Sequence, residues 1–568
     1  MGMNPSSNLV EAVLSARGLT GERGRAYLER DWDGLSHDPF LLPDMHAAVE
    51  RIVRAKEQSE HVVIYGDYDI DGLTASTVLQ ESLAAFGIPA KVFIPNRFVE
   101  GYGLATEAIE RLADQGAQLI ITVDCGSLSH KEIARAGERG VDVIVTDHHN
   151  VAPTMPPAVA VINPKRLLDV HPEKYDNFVL KPGETGLYPF LDLPGVGVAF
   201  KLVQALQTRL DGLPNGHEKW LLDLVALGTV CDVVTLQDEN RTNVYWGMQV
   251  MRRTKRPGIK LLMAVSRVEP EKLVARSLGF GLGPRLNAAG RMETAQLALE
   301  LLTCNDSSVA LELAERLDLM NTQRRTEQDR IFKAAKIEAE QRTADPVLIV
   351  SDASWSHGII GIVAAKLLET YKKPTFVLQE LEDGTAKGSA RSYGEFSAAD
   401  AIVATRDLLL KGGGHRLAAG VTLKTETIAT WRKAVNQYYK SLKLVDQLRH
   451  LDTRSDVTLT DFSRCSEGNV SALTELEPYG NGNPEPVFEF ADLVVLGRRL
   501  MGADNQHVKY KFADPKGQSM EMIAFNKASE FTVEAGEHAQ VWCELGINEW
   551  NGRQSVEGRL LKLESLAE

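Results

Sequence analysis

From residue 61 the chain alternates short apolar runs with stretches of helical periodicity. Helices are predicted over 73–86, near 106–115 and near 129–138, between the apolar runs HVVIYG (61–66), AKVFIP (90–95), QLIITVD (118–124) and VDVIVTD (141–147). Short β-branched runs that alternate with amphipathic helices are typical of a parallel sheet with right-handed crossover connections. The pattern therefore predicts an α/β domain in this part of the chain.

The pattern changes twice further along the chain. Residues 306–342 are rich in charge with helical periodicity, which predicts a helix or a helix pair joining two domains. A second α/β pattern then leads to the glycine-rich GGGHRLAAG (412–420), and after about residue 443 frequent Gly and Pro separate short strands. Such a strand-rich tail suits a small β-barrel better than a sandwich.

These patterns predict an α/β protein in which two α/β domains are joined by a long helix, with a barrel at the C-terminal end. A length of 568 residues fits three or four domains. The predicted boundaries are an N-terminal segment over 1–45, a first α/β domain over 46–305, a connecting helix over 306–343, a second α/β domain over 344–442 and the barrel over 443–568.

Composition narrows the class of protein. The net charge of −14 argues against nonspecific duplex binding, which needs a basic surface, although a local basic groove can still hold a nucleic acid. Five cysteines without a CxxC pair argue against a disulfide framework or a zinc site and favour a reducing cytoplasm. The chain shows neither an apolar signal region nor an uncharged span, so we expect no membrane association.

The stretch GDYDIDG (66–72) places three carboxylates at alternate positions, as in the opening of a calcium-binding EF-hand loop. The twelfth position of such a loop requires Glu, and here it is Val78. The stretch also follows an apolar strand, whereas an EF-hand loop follows a helix. Calcium storage is therefore disfavoured.

Acidic and histidine residues fall at the carboxyl ends of the predicted strands, where ligands of parallel sheets gather. Asp67 follows the first strand, Asp124 the third and Asp147-His148-His149 the fourth, and Asp232 follows a further apolar segment. Hard divalent cations bind carboxylate oxygens, and a histidine among them favours Mn²⁺ over Mg²⁺. We expect two ions and phosphoester hydrolysis, with six ligands: Asp67, Asp69, Asp71, Asp124, His148 and Asp232.

His148 and His149 are adjacent, so on an extended segment their side chains are expected to point to opposite sides. One is then a metal ligand and the other a phosphate contact or a proton donor. We expect Asp124, His148 and His149 to be the catalytic residues.

Several separated motifs together resemble the DHH phosphoesterase superfamily, most closely its single-strand-specific 5′→3′ DNA exonucleases. The resemblance covers nearly the whole chain and rests on eleven blocks in order: GDYDIDG (66–72), IPNRFVEGYGL (94–104), TVDCG (122–126), TDHH (146–149), LPGVGVAFKL (193–202), GTVCDVV (228–234), GPRLNAAGRM (283–292), SHGIIGIVAAKL (356–367), KGSARS (387–392), GGGHRLAAG (412–420) and PYGNGNPEP (478–486).

The resemblance implies the same six metal ligands and a scissile-phosphate contact for His149. It also implies that Arg97, Ser389 and Arg391 hold a 5′-terminal phosphate, which suits the planar fork of arginine. For Arg97 an ordinary surface ion pair is the alternative.

The resemblance also suggests substrate-binding roles elsewhere. Arg285 and Arg291 clamp backbone phosphates or instead pin the domain to its connecting helix. His415, after three glycines, faces an anion or simply caps a turn. The second α/β unit resembles a DHHA1 domain, which implies a catalytic domain over 46–305 and a substrate-binding domain over 344–442 around a central cleft. The tail resembles an OB-fold that extends a track for single-stranded DNA, with Trp550 either a stacking platform or a core residue.

Two departures from the family pattern concern the surface. Residues 167–192 form a polar excursion longer than the family pattern, and Glu557 stands where similar sequences often carry Gln. The resemblance implies a monomeric enzyme of DNA recombination and repair that releases mononucleotides, with a helicase and a single-strand-binding protein as partners. Two alternatives remain: a phosphodiesterase of short oligonucleotides or nucleotides, and a non-catalytic DHH scaffold that binds single strands.

Overall fold

The structure, a computed structural model, describes residues 8–96, 100, 103–444, 453–550 and 552–566. The chain divides into two compact units. The first unit comprises Met1–Gly283, Leu301–Ala310 and Thr453–Glu568, and the second comprises Pro284–Glu300 and Leu311–Asp452. The boundaries of the five predicted functional segments stay predictions.

The helices follow one another in chain order as α1 Leu9–Ala16, α2 Gly21–Glu29, α3 Trp32–Leu35, α4 Met45–Glu57, α5 Ile70–Ala85, α6 Thr106–Asp114, α7 His130–Glu138, α8 Arg166–Val170, α9 Gly195–Gln207, α10 Leu222–Asp232, α11 Asp238–Arg252, α12 Pro257–Val265, α13 Gly283–Met292, α14 Gln296–Thr303, α15 Ser307–Glu340, α16 His357–Tyr371, α17 Ala398–Ala404, α18 Ile428–Ser441 and α19 Glu467–Ala472.

The strands are β1 Val62–Gly66, β2 Ala90–Phe93, β3 Leu119–Val123, β4 Asp142–Thr146, β5 Ala160–Ile162, β6 Tyr175–Asp176, β7 Val179–Leu180, β8 Leu348–Asp352, β9 Thr375–Glu380, β10 Thr385–Arg391, β11 Lys411–Gly414, β12 Ala418–Lys424, β13 Val457–Leu459, β14 Phe488–Met501, β15 His507–Ala513, β16 Ser519–Ala524, β17 His538–Trp550 and β18 Arg553–Ser565.

The first unit is built on a parallel five-stranded sheet with the order β2-β1-β3-β4-β5. Residues of β1 and β3 are buried throughout, as their continuous apolar runs predict for strands covered on both faces. Helix α5 is buried almost all round and packs against α9 and α10. The carboxyl ends of β1, β3 and β4 therefore face one common edge.

The C-terminal residues of the first unit form a closed barrel. Strands β14, β15, β16, β18 and β17 follow one another round it, and the β14–β17 pairing closes the ring. Helix α1 completes the core of this barrel, because Leu9, Val10, Val13 and Leu14 belong to the same buried apolar cluster as the barrel strands. Arg17 then binds Asp456 with two hydrogen bonds of 2.7 and 3.2 Å.

The excursion over 167–192 contains α8 and the short antiparallel pair β6–β7. It is anchored by Tyr188, which is fully buried and donates a hydrogen bond to Glu239 at the start of α11. Glu239 also pairs with the buried Lys201 of α9 at 2.6 Å. This network fixes the excursion to α9 and α11.

The second unit contains a mixed sheet with the order β11-β12-β10-β9-β8. Only β8 and β9 are parallel, and the pairs that follow are antiparallel. The predicted helix or helix pair over 306–342 is a single helix, α15. The predicted fold class, with two α/β domains and a C-terminal barrel, is confirmed.

Candidate metal centre

The carboxyl ends of β1, β3 and β4 bring distant side chains to one point. The imidazole Nε2 of His148 lies 3.1 Å from a carboxylate oxygen of Asp124, 3.6 Å from Asp232 and 3.7 Å from Asp71. Asp232 comes from the last residue of α10 rather than from a strand end. The residues predicted from four separate segments are thus within reach of a shared ion.

Three overlapping groups of side chains offer oxygen or nitrogen atoms within 4.8 Å of one another. All six predicted ligands take part in at least one group, and two of the residues, Asp124 and His148, take part in two groups. The groups are Asp67, Asp69 and Asp124; Asp71, His148 and Asp232; and Asp124, His148 and His149. Overlapping groups of this kind suit two neighbouring cations.

Asp71 is held by the start of a helix. Its two oxygens accept hydrogen bonds from the backbone N–H groups of Gly195 at 2.6 Å and Val196 at 2.8 Å, at the first turn of α9. A Cβ on Gly195 would lie 2.6 Å from the Cβ of Asp124. The glycine in LPGVG is therefore required for the close approach of α9 to both carboxylates.

Asp124 follows β3 with a left-handed backbone, at φ +61°. This conformation is unfavourable for most side chains but is tolerated by Asp and Asn. The residue is 1% exposed, and its N–H donates to the carbonyl of Thr146 at 2.9 Å. The turn directs the carboxylate into the cluster instead of along the strand.

The expectation that His148 and His149 point to opposite sides is wrong. Their ring centroids are 4.5 Å apart. The physical reason is that β4 ends at Thr146, so the alternation of a strand does not extend to residues 148 and 149. Both rings face the Asp124 side, with His149 Nδ1 at 3.8 Å from its carboxylate.

Asp147 orients both histidines, a role that the sequence pattern did not reveal. Its Oδ1 accepts hydrogen bonds from the backbone of His148 at 2.7 Å and from His149 Nδ1 at 2.8 Å. Its Oδ2 accepts the N–H of Ser127, and the Asn163 side chain ties Ser127 Oγ to the carbonyl of His149. A carboxylate directly before two histidines is the one sequence feature that points to this role.

The buried carboxylates of the cluster lie so close together that a bound positive charge would stabilise their ionised forms. Burial, together with the neighbouring carboxylates, raises the pKa of Asp71, Asp124 and Asp232 above the ordinary value. Asp124 Oδ1 and Asp232 Oδ2 are buried and accept no hydrogen bond from any described residue. Buried carboxylates are stable only when paired or bound to metal, so the residues fit divalent cations.

The surroundings shift the pKa values of the two histidines in opposite directions. Burial, aided by the charge of His149, lowers the pKa of His148, which favours the neutral imidazole that binds metals. Burial opposes the charged form of His149 too, but its hydrogen bond to Asp147 and the nearby carboxylates raise its pKa above the ordinary value. His149 is therefore the imidazole suited to carry a proton.

In the second unit, Ser389 and Arg391 lie side by side on β10. Arg391 Nη1 donates to Ser389 Oγ at 3.2 Å and to the carbonyl of Ala390 at 2.7 Å. A Cβ on Gly361 of α16 would lie 2.9 Å from Ser389 Oγ and 3.2 Å from Arg391 Nη2. The glycine lets both side chains approach the helix. Arg97 lies outside the described residues, so its predicted place beside them stays a prediction.

The remaining predicted substrate contacts are dispersed within the second unit. Arg285 forms an ion pair of 2.8 Å with Asp318 of α15, which agrees with the pinning alternative. Arg291 donates to the carbonyl of Gly358 at 3.2 Å. His415 is exposed in the β11–β12 turn, where its N–H donates to Ala418. The side chain of Trp550 lies outside the described part of the structure.

Three family models match this chain. Residues 61–229 match the DHH family, N-terminal domain, residues 344–441 match the DHHA1 domain, and residues 456–561 match the RecJ OB domain.

The curated relatives include the single-stranded-DNA-specific exonuclease RecJ of Bacillus subtilis. It is 36% identical over 550 residues, which cover 96% of this chain and 66% of the relative. The enzyme of the same name from Dickeya dadantii is 34% identical over 97% of this chain and 94% of its own length. A solved structure of RecJ in complex with Mn²⁺ from Thermus thermophilus matches with a TM-score of 0.79, at 28% identity, over 100% of this chain and 79% of that chain.

The fold and the cluster together define a metal-dependent phosphoesterase of the DHH class. Within this class, the closed C-terminal barrel and the relatives that align over nearly the whole chain indicate one family. The chain belongs to the RecJ family of single-stranded-DNA-specific exonucleases. The resemblance of the eleven motifs is thereby confirmed. Across the described residues, the structure contains no helix with the length and apolar character needed to span a membrane.

Proposed function

We propose that this chain degrades single-stranded DNA from a 5′ end to mononucleotides, by hydrolysis that depends on Mn²⁺ or Mg²⁺, in DNA recombination and repair. The observation that carries the proposal is the convergence of four segments on His148 Nε2, with three aspartates within 3.7 Å of it. Such a carboxylate cluster is arranged for phosphodiester cleavage.

The six predicted ligands are proposed to hold two cations, one near Asp67, Asp69 and Asp124 and one near Asp71, His148 and Asp232. Bound cations of this type supply Lewis-acid chemistry, lowering the pKa of a water and neutralising charge on the phosphoryl group. Asp124 of the first set also lies 3.1 Å from His148 of the second, so its carboxylate connects the two sets.

His149 is proposed to contact the scissile phosphate. The Asp147 carboxylate accepts a hydrogen bond from its Nδ1 at 2.8 Å, which holds the ring on the side of Asp124. The raised pKa of His149 favours the protonated form, which can donate a proton or a hydrogen bond to a phosphate oxygen. The lowered pKa of His148 suits that imidazole to the role of a metal ligand instead.

The 5′→3′ polarity is proposed to arise from Ser389 and Arg391, which offer a hydroxyl and a guanidinium at 3.2 Å from one another. A terminal phosphate presents oxygens that match this pair, and Arg97 is proposed as a third contact. Arg291 and His415 are proposed to bind the phosphates of the strand that follows, whereas Arg285, which pairs with Asp318, is proposed to pin its helix to α15.

The test is turnover on 5′-labelled single-stranded DNA with Mn²⁺, compared with the Asp124→Asn variant. Asn keeps the left-handed backbone that Ala would strain, so this variant should fold while losing cleavage. We expect wild type to release labelled mononucleotides from single strands and not from a blunt duplex.

The other outcomes identify the alternatives. Preference for dinucleotides over long strands would indicate a phosphodiesterase of short oligonucleotides. Binding of single strands without cleavage, at any metal concentration, would indicate a non-catalytic scaffold. A reversed polarity, with 3′-labelled ends released first, would contradict the proposed phosphate pocket.

The proposed reaction also indicates which proteins would act together with this chain. A single-strand exonuclease needs unwound ends, so we propose a helicase and a single-strand-binding protein as cytoplasmic partners of a monomeric enzyme. Co-sedimentation of the purified chain with each partner, and its mass in solution, test these points.

A further inference from the structure

Phe280 is an exposed aromatic side chain held in an unusual turn. Residues Ser277–Leu282 form a π-helical turn, and such turns are rare and frequent at functional sites. Leu278 and Leu282 are buried on the inner side of the turn. Phe280 between them is 77% exposed, more than any other large apolar side chain in the described part of the chain.

The turn is packed against the elements that carry the candidate metal ligands. The Cys231 thiol, one residue before Asp232, lies 3.8 Å from the carbonyl of Leu278. A Cβ on Gly283, the residue after the turn, would lie 2.7 Å from Cys231 Sγ and 3.5 Å from Ile70, the neighbour of Asp71. Phe280 therefore projects from a segment fixed beside the ligands Asp71 and Asp232.

The exposed ring of Phe280 lies beside a cationic side chain. The guanidinium of Arg276 lies 5.3 Å from the centroid of Phe280. Arg276 is exposed, and no described carboxylate lies within ion-pair distance of it. An aromatic face beside an unneutralised guanidinium matches one nucleotide, since the base stacks on the ring and the phosphate binds the cation.

Arg276 also connects this ring to the barrel. It borders a groove of about 420 Å³ whose opposite wall is the barrel surface, including Ile523, Phe525 and Ile547. Phe525 is 54% exposed and contacts the ring of His507 edge to face. Each of the three glutamates that line the groove has a cation within the barrel, since Lys509 pairs with Glu557 and Arg559 lies between Glu544 and Glu485.

We infer that Phe280, Arg276 and Phe525 form a stacking track that positions single-stranded DNA between the metal centre and the barrel. This inference rests on the proposed function. The track binds the DNA strand and takes no part in hydrolysis. It therefore affects the affinity for strands that are long enough to reach it. Its ligand is a stacked nucleobase with its phosphate, and it does not require a particular sequence.

The experiment measures KM and kcat for Phe280→Ala with a long single strand and with a di- or trinucleotide, in Mn²⁺. Loss of one stacked base is expected to raise KM for the long strand about 5- to 140-fold. We expect kcat and all constants for the short substrate to stay at the wild-type value. Phe280→Trp should restore KM, whereas Phe280→Leu, which keeps apolar bulk without a π-face, should not.

Phe525→Ala is expected to raise KM in the same direction, and Leu500→Ala is the matched control, since Leu500 is an exposed apolar barrel residue outside the groove. In the cleavage-deficient Asp124→Asn background, 2-aminopurine in the strand should be quenched on binding, and less so after Phe280→Ala.

An unchanged KM and unchanged quenching in Phe280→Ala, with cleavage intact, would overturn the stacking track alone. Equal KM for Phe280→Leu and wild type would also overturn it. Absence of cleavage by wild type on every substrate would instead contradict the proposed function, so the two failures can be told apart.

Discussion

At the scale of single residues, the buried carboxylates of the metal cluster repel one another, and bound cations would reduce this repulsion. Burial and mutual proximity raise the pKa of Asp71 to about 7 and raise those of Asp124 and Asp232 as well. A carboxyl group whose pKa is higher in the folded than in the unfolded state lowers the free energy of unfolding once the pH exceeds the unfolded pKa of about 4. The cost grows as the pH rises through the folded pKa.

We therefore predict that the metal-free protein loses stability from Asp71 as the pH rises from about 4 to about 7, and that the raised pKa values of Asp124 and Asp232 act in the same direction. Mn²⁺ should stabilise it more at pH 8 than at pH 5.5, because cation binding displaces protons at the lower pH. Thermal unfolding with and without Mn²⁺ measures both effects. Asp124→Asn should flatten the pH dependence, and the same slope in wild type and variant would contradict this origin.

Asp147 acts through His149, and Asn at this position removes the negative charge while its one oxygen can still accept the hydrogen bond from His149 Nδ1. We predict that Asp147→Asn lowers kcat and moves the alkaline limb of the pH–rate profile to lower pH. The sign follows because loss of the neighbouring negative charge lowers the pKa of His149, which then loses its proton earlier. A fall in kcat with an unmoved profile would show that Asp147 only supports the fold.

At the scale of elements, much of the fold was predictable because it depends on local periodicity. The helix predicted over 73–86 is Ile70–Ala85, and the strand ends at Asp67, Asp124 and Asp147 meet at one edge as expected. The left-handed turn at Asp124 and the converging rings of His148 and His149 were not predictable, because they depend on where a strand ends. The contact of α9 with Asp71 joins residues 124 positions apart, which no local pattern contains.

Helix α16 provides a test of the phosphate pocket, because Gly361 lies directly beneath Ser389 and Arg391. We predict that Gly361→Ala displaces both side chains and reduces the preference for 5′-phosphorylated over 5′-hydroxyl strands several-fold. Competition between the two kinds of end measures this preference. Gly137→Ala in α7, where an added Cβ meets nothing within 4 Å, is the matched control. Unchanged end preference in Gly361→Ala would argue against the pocket.

At the scale of the whole molecule, the barrel depends on the opposite end of the chain. Leu9 is fully buried among barrel residues, and Tyr27 bonds to Asn483 at 2.8 Å. The sequence predicted an N-terminal segment over 1–45 without assigning its helix to the barrel core, since an eight-residue helix carries no sign of which distant surface its apolar face covers.

We predict that Leu9→Ala destabilises the protein by about 2–5 kcal/mol, the usual cost of emptying a packed leucine site. Denaturant unfolding followed by fluorescence measures the change. Leu496→Ala, at an exposed position on β14, should cost far less. Equal costs at the two positions would mean that α1 does not belong to the barrel core.

The pairing of Arg17 with Asp456 spans 439 positions of the chain. During synthesis at about 5–20 residues per second, α1 leaves the ribosome about 20–90 s before its partner strands exist. Throughout that interval Leu9 and Val13 lack the barrel residues that bury them in the folded structure. Closure of the barrel core therefore has to wait until residues 453 onward have been synthesised.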